Sequence, residues 1–223
     1  VGQLTTSAGT RRCPGEGSTP PEFIPTTARE GWSASVAVSY VTRVFRTVPF
    51  THPDTGALLV LAKLLRFGFL HREIREKGGA YGGMAAASPG SGLFSLMSYR
   101  DPNFEKTYDV FDQAISWLLG GGFSDENIRE AILGVFSDLD GVLSPEGRGL
   151  REWRYAYQGI TPNDRQFLRD QILSVTQDRL ADVAKRLLGQ THTLQADAAI
   201  SSKSMLDRVR KQPRFRTMTG GVI

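Results

Sequence analysis

The feature that most limits what this chain can fold into is a change of hydrophobic period on either side of Pro49. From Ser35 to Val48 the sequence reads SVAVSYVTRVFRTV. Here Val36, Val38, Tyr40, Thr42, Val44 and Arg46 alternate with Ala37, Ser39, Val41, Arg43, Phe45 and Thr47. β-Branched and aromatic residues at period two specify a strand, and apolar residues on both faces ask for cover on both sides. Pro49 and Pro53 end that pattern. Beyond them Leu58, Leu61, Ala62, Leu65 and Phe69 recur every three to four residues, which predicts a helix capped by Asp54 or Thr55 and weakened near its end by Gly68. A second short helical segment is expected over Leu70 to Lys77, stopped by Gly78 and Gly79, where the absence of a Cβ permits a tight or left-handed turn.

After those glycines, Ala80 to Ala87 reads as extended, Ser88 to Gly92 as a turn and Leu93 to Tyr99 as a strand, together a hairpin. The remainder is mainly helical. Asp101-Pro102 starts a stripe of Phe104, Tyr108, Phe111, Ile115 and Leu118, and Ser124 caps a helix bearing Ile128, Ile132, Val135 and Leu139. Ser144-Pro145 and Thr161-Pro162 are two further starts, the second with Asp164 at its third position. Ser174 to Gln177 has capping-box spacing before Leu180, Val183, Ala184 and Leu187. Thr191 to Ala199 reads as a return to the sheet. The expectation is an α+β fold, with helices covering one face of a largely antiparallel sheet.

Around this domain, placed over 32–200, the composition differs. Residues 1–31 are rich in Gly, Pro, Ser and Thr and lack an apolar period, so they read as a flexible leader. The start at Val1 is read as a processing or fragment boundary. Residues 201–223 carry Lys203, Arg208, Arg210, Lys211, Arg214 and Arg216, and read as a basic, frayed tail. At 223 residues the chain can bury a core without staples, and its single cysteine, Cys13, excludes an internal disulfide and cysteine-rich metal sites. A net charge of +4 is compatible with an acidic partner without requiring one, so nucleic acid is not an expected partner. No apolar run is long enough for a membrane span.

The stretch HREIREKGGAYGG, from His71, invites two catalytic readings and satisfies neither. A zinc peptidase helix needs two imidazoles one turn apart beside a glutamate, in HExxH or inverted HxxEH order. His71 is followed by Arg72, Glu73, Ile74 and Arg75, so the second histidine is absent in both orders, and His52 and His192 are distant in sequence. A phosphate loop needs its glycines after a strand and before a helix, and here that order is reversed. No Gly-x-Ser-x-Gly elbow is present either. The chain therefore offers no complete catalytic centre and no metal ligand set of its own. What remains is a binding pair: the five-donor guanidinium of Arg75 and the phenol of Tyr81, across a turn formed by Gly78, Gly79, Gly82 and Gly83. Such a pair can clamp a peptide carbonyl or support an oxyanion, and equally it can be a surface arginine beside a packed strand tyrosine.

Several long segments together resemble the last domain of the presequence-protease branch of the pitrilysin family of zinc metallopeptidases. They are FRTVPFTHPD from Phe45, FLHREIREKGGAYGG from Phe69, GLFSLMSYRDPN from Gly92, AILGVFSDLDGVLSPEGRG from Ala131 and LRDQILSVTQDRLADVAKRLL from Leu168. The resemblance covers roughly Tyr40 to Leu188, and Met84 stands where the family pattern often has another glycine. It implies a pitrilysin-type domain, one of four related α+β units closing around a chamber, with zinc bound by another domain in the N-terminal peptidase half. It also implies that Arg75 and Tyr81 bind an unfolded peptide substrate, such as a cleaved presequence, near the scissile bond. By resemblance the compartment is the mitochondrial matrix or another organelle, or the cytoplasm in a bacterium. The alternative is a non-catalytic scaffold or interaction subunit of the same fold.

Overall fold

The computed structural model of the protein describes residues 27–189 and 194–223. Cys13, His192 and the leader as far as residue 26 lie outside the described residues. Five strands form one sheet: β1 (Ala28–Ser33), β2 (Ser39–Arg46), β3 (Gly82–Ser88), β4 (Leu93–Asp101) and β5 (Gln195–Ser201), in the order β1-β5-β2-β4-β3. All neighbours run antiparallel except β1 and β5, which are parallel. Among the described residues seven α-helices accompany them: α1 (Thr55–Leu65), α2 (Phe104–Leu119), α3 (Asp125–Leu139), α4 (Pro145–Tyr157), α5 (Pro162–Leu173), α6 (Gln177–Leu187) and α7 (Lys203–Val209).

The period-two residues of β2 sort as the alternation requires. Ser39, Val41, Arg43 and Phe45 are buried beneath the helices, while Tyr40, Thr42 and Val44 face the other side and are only half-buried, so the expected cover on both faces is not found among the described residues. Helices α1 and α2 lie on the inner face, packing Leu58, Leu61, Leu65, Phe104, Tyr108 and Phe111 against Phe45, Phe94 and Leu96 in one core. Helices α3, α5 and α6 form a further layer behind α1. This is the expected α+β arrangement, with helices on one face of a mostly antiparallel sheet.

Three further expectations require correction. The second helical segment is not separate from α1: from Arg66 the helix continues directly as a π-helical segment, Arg66–Glu76, whose hydrogen bonds widen to i→i+5, as from Lys77 N–H to Arg72 O at 3.0 Å. The leader does not extend to Gly31, because Ala28–Ser33 pairs with β5 and its backbone is satisfied there. The terminal segment is not frayed. Ser202 caps α7, Leu206 and Val209 are buried, and Phe215 stacks on Phe104 with ring centroids 5.9 Å apart. Thr219 N–H then donates to Arg29 O at 2.9 Å, adding the chain end to the sheet's edge. Two of the six basic residues that suggested a tail pair with carboxylates on α2: Arg208 with Glu105 at 3.0 Å, and Arg214 with Asp109 at 2.5 Å and Asp112 at 2.7 Å.

Beneath the sheet lies an ion network that the alternation pattern alone does not reveal. Arg43, 2% exposed, donates from Nε to Asp197 Oδ1 at 2.7 Å and from Nη2 to Oδ2 at 3.2 Å, and also pairs with Asp112. Arg29 approaches Asp197 at 3.4 Å. Burial works against the Arg43 charge, but the hydrogen bonds and charges of Asp197 and Asp112 outweigh it and hold the guanidinium above its ordinary range. The Tyr108 phenol is pushed far up, chiefly by burial and then by the Asp197 charge, and it donates to Ala198 O at 3.1 Å.

Candidate substrate-binding cleft

The turn after the π-helical segment is shaped by its glycines. Gly79 has a φ of +76°, a conformation that a Cβ disfavours. A Cβ on Gly83 would lie 2.7 Å from Leu70 O and 2.9 Å from Ile74 Cβ, so the start of β3 can sit against the helix only without one. Gly78 is similarly pressed on Ile74 O, whereas Gly82 faces open space. The turn is also held from outside. Asn103 donates from its side-chain amide to Gly78 O, and the buried Asp101 carboxylate accepts from Ser98, Thr107 and the Asn103 backbone.

That frame brings Arg75 and Tyr81 together. The Arg75 guanidinium carbon lies 5.9 Å from the Tyr81 ring centroid, and the tyrosine is 65% exposed with its hydroxyl free to meet a ligand. The two line a shallow cleft of about 470 Å³ with Val38, Gly79, Ala80 and Arg100. His71 stands on the same helical face, its Nε2 3.3 Å from Arg75 Nη1 and its Nδ1 3.2 Å from Glu76. Four residues apart on one helical face, His71 is a neighbour of Arg75, with no second histidine beside it among the described residues. Among the described residues no group of three or more His, Cys, Asp or Glu is arranged to hold a metal ion, so the residues of this cleft do not fit a zinc site.

Arg100 is the cleft residue that sequence reasoning missed. In the β2–β4 pairing Ser39 faces Asp101 and Val41 faces Ser98, so Tyr99 and Arg100 together oppose Tyr40 in a β-bulge. Arg100 takes the left-handed position of that bulge, with a φ of +51°, at a cost of about 1–2 kcal/mol for a residue bearing a Cβ. It is the one non-glycine with positive φ among the described residues. The only sequence signal was its place directly before Asp101-Pro102.

From Tyr81 an aromatic row leads onto the uncovered face of the sheet. Tyr81 meets Tyr99 edge-on at 5.8 Å, and Tyr99 meets Tyr40 at 5.3 Å. Beyond them an apolar depression of about 360 Å³ includes Trp32, Met84, Met97 and Ile200. A larger cavity of about 580 Å³ lies elsewhere, beside α4 and α5. Two of its guanidiniums, Arg165 and Arg169, are engaged by Glu152 and Asp140, so the Tyr81 cleft is the better candidate.

The family model described as the PreP C-terminal domain matches residues 35–203. The chain belongs to this family. The PreP C-terminal domain here is 38% identical over 192 residues to the mitochondrial presequence protease of Mus musculus, covering 85% of this chain and 18% of that protein. It is 40% identical over 178 residues to the mitochondrial presequence protease of Danio rerio, covering 80% and 17%. The chain therefore spans less than a fifth of the length of these relatives. At the level of fold it resembles a peptidase M16 inactive domain from Pseudomonas fluorescens, with a TM-score of 0.63 and 15% identity over 80% of this chain and 44% of that one. It resembles pitrilysin with a TM-score of 0.58 and 14% identity, over 89% of this chain and 22% of that one. The chain thus joins membership of the PreP C-terminal domain family to the α+β fold seen in these peptidase structures.

Proposed function

We propose that this domain binds the backbone of an unfolded peptide and supports its cleavage by a zinc-bearing peptidase half of the same enzyme. The observation that carries this reading is the convergence of Arg75 and Tyr81 on one open cleft, with Tyr81 exposed and Arg75 without a carboxylate partner among the described residues. An extended peptide crossing the cleft would present carbonyl oxygens, which accept from the Tyr81 hydroxyl and the Arg75 N–H groups. Because the glycine turn and the Asp101 hydrogen bonds hold both residues in place, little reorganisation is needed when negative charge develops on that oxygen. Zinc held by the other half would supply the activation of the attacking water, while Arg75 and Tyr81 hold the carbonyl that it attacks. The apolar depression around Met84 and Met97 gives flanking side chains a dry surface.

The names of the relatives support a presequence-type substrate and a mitochondrial compartment for this chain as well. The test uses the protease assembled from this chain and a metal-bearing half of the family. Arg75→Ala and Tyr81→Phe should each lower kcat/KM for a model presequence peptide about 100-fold, with the domain still folded by circular dichroism. Unchanged turnover in both variants sinks the assigned roles.

A scaffold reading draws on one feature, helix α4. None of its residues is buried, and Trp153 and Tyr157 stack on its exposed side with centroids 5.5 Å apart. Copurification of the chain in a stable assembly free of any peptidase half would favour that reading.

A further inference from the structure

We propose that the uncovered face of the sheet is a second subsite for the peptide, and that the depression walled by Met84 and Met97 selects a large apolar side chain flanking the bond held by Arg75 and Tyr81. This inference rests on the reading of those two residues as the peptide clamp.

Strand register shows how the depression is built. On the outer face Trp32, Ile200 and Tyr40 stand side by side, and Tyr99 meets Tyr40 at the bulge, which makes one row of large side chains. Two residues along, Met84, Met97, Thr42 and Ala198 form the next row. Thr42 and Ala198 are short, so a hollow of about 360 Å³ is left between the aromatic row and the two methionines. One wall is fixed at its far end, where the Trp32 indole N–H donates to Glu30 at 3.0 Å. No charged residue lines the hollow.

Three observations assign this hollow to the peptide. First, the face is apolar where the open side of an antiparallel sheet normally turns polar, with Trp32 and Ile200 each 37% exposed and Tyr99 42%. Second, the hollow is continuous with the clamp. Tyr99 lines it and also meets Tyr81 edge-on at 5.8 Å, and Gly82, the β3 residue paired with Tyr99, leaves open space where a side chain would stand between the two sites. Third, the spacing suits an extended chain, which advances about 6.6 Å over two residues and turns alternate side chains the same way. A side chain two residues from the held carbonyl therefore comes over the hollow. Methionines are unbranched and polarizable, so they mould to leucine and to aromatic rings alike, and the subsite selects a class of side chain and not a single residue. An amphipathic, arginine-rich presequence supplies such side chains between its charges.

The test titrates the full 223-residue chain with acetylated, amidated alanine nonapeptides that carry two arginines and a central Leu or a central Ala, following the methionine methyl resonances. The Leu peptide should bind about fivefold more tightly than the Ala peptide, as expected from half-burying a leucine side chain. It should shift the methyls of Met84 and Met97 and leave those of Met205 and Met218 unmoved. Met84→Gln combined with Met97→Gln keeps the shape of both half-buried side chains and should bring the ratio to about one, whereas Met84→Leu with Met97→Leu should retain most of it. Leu133→Gln, which removes an exposed apolar side chain from α3, should leave the ratio unchanged. Arg75→Ala and Tyr81→Phe should weaken both peptides alike and preserve it. An undiminished Leu-to-Ala ratio in the double glutamine variant, folded by circular dichroism, overturns the proposal while leaving the clamp intact. Methyl shifts that follow protein concentration without peptide give the face to a second copy of the chain and also overturn it. Undiminished binding of both peptides in Arg75→Ala and Tyr81→Phe removes the clamp itself, and wild-type protein that binds neither peptide overturns both.

Discussion

Gly83 illustrates how closely the cleft depends on single atoms. Its α-carbon hydrogen faces Leu70 O and Ile74, and both neighbours belong to the π-helical segment that carries Arg75. Gly83→Ala should therefore destabilise the domain by about 1–3 kcal/mol, as over-packing against backbone usually does. Thermal melting would measure the loss. A stability within error of wild type would show that the helix can withdraw without penalty. Gly82→Ala, with nothing within 4 Å of the added Cβ, is the matched control. At this scale the residues alone left the Arg75 and Tyr81 pair open against a surface arginine beside a packed tyrosine, and the family resemblance singled the pair out. Arg100 was not legible, because its place in the cleft follows from pairing with β2, and nothing local distinguishes a bulge arginine from a strand arginine.

Among the elements, the helix starts were the most readable features, since caps are short-range chemistry. Thr161 Oγ1 accepts from Asp164 N–H at 3.2 Å while Asp164 Oδ2 accepts from Thr161 N–H at 2.8 Å, closing the capping box of α5. The Thr161 hydroxyl first, and its backbone N–H second, hold the Asp164 carboxyl below the usual carboxylate range. A depressed folded value means that the contribution to stability is present above the unfolded value of about 3.9 and is lost as pH falls through the folded one. Thr161→Ala should move the Asp164 titration up toward 3.9, as followed by carboxyl NMR, and shrink the acid-sensitive part of the stability. An unmoved titration would show that the backbone bond suffices. The start of α6 was read less well. Ser174 has capping-box spacing to Gln177, yet Ser174 closes α5, and Thr176 is the residue that accepts from Arg179 N–H, at 3.3 Å. Both are competent caps, and the packing of Leu180 and Val183 into the core selects between them.

Across the whole molecule, the Arg43–Asp197 pair joins β2 to β5 and, through Asp112 and Arg29, to α2 and β1. Asp197→Ala would leave the buried Arg43 guanidinium with Asp112 alone and its Nε unpaired, and should cost about 3 kcal/mol by urea unfolding. Replacing both partners, as in Arg43→Met with Asp197→Leu, should cost much less, since a buried pair is weaker evidence of stability than a broken one is of instability. Equal losses from the single and double replacements would contradict this account.

The sequence by itself determined what neighbouring residues decide among themselves. It set the period-two strand before Pro49, the caps at Ser124, Ser144 and Thr161, and the glycine turn between Arg75 and Tyr81. Only the tertiary structure decided that β1 runs parallel beside β5, that the basic segment after Ser202 folds onto α2, that Arg43 is buried, and that a bulge turns Arg100 toward the same tyrosine. Local conformation follows from sterics and hydrogen bonds over a few residues. Register and burial depend on partners far away in the chain, such as Asp197 for Arg43, and a one-residue slip in pairing would exchange one face of a strand for the other.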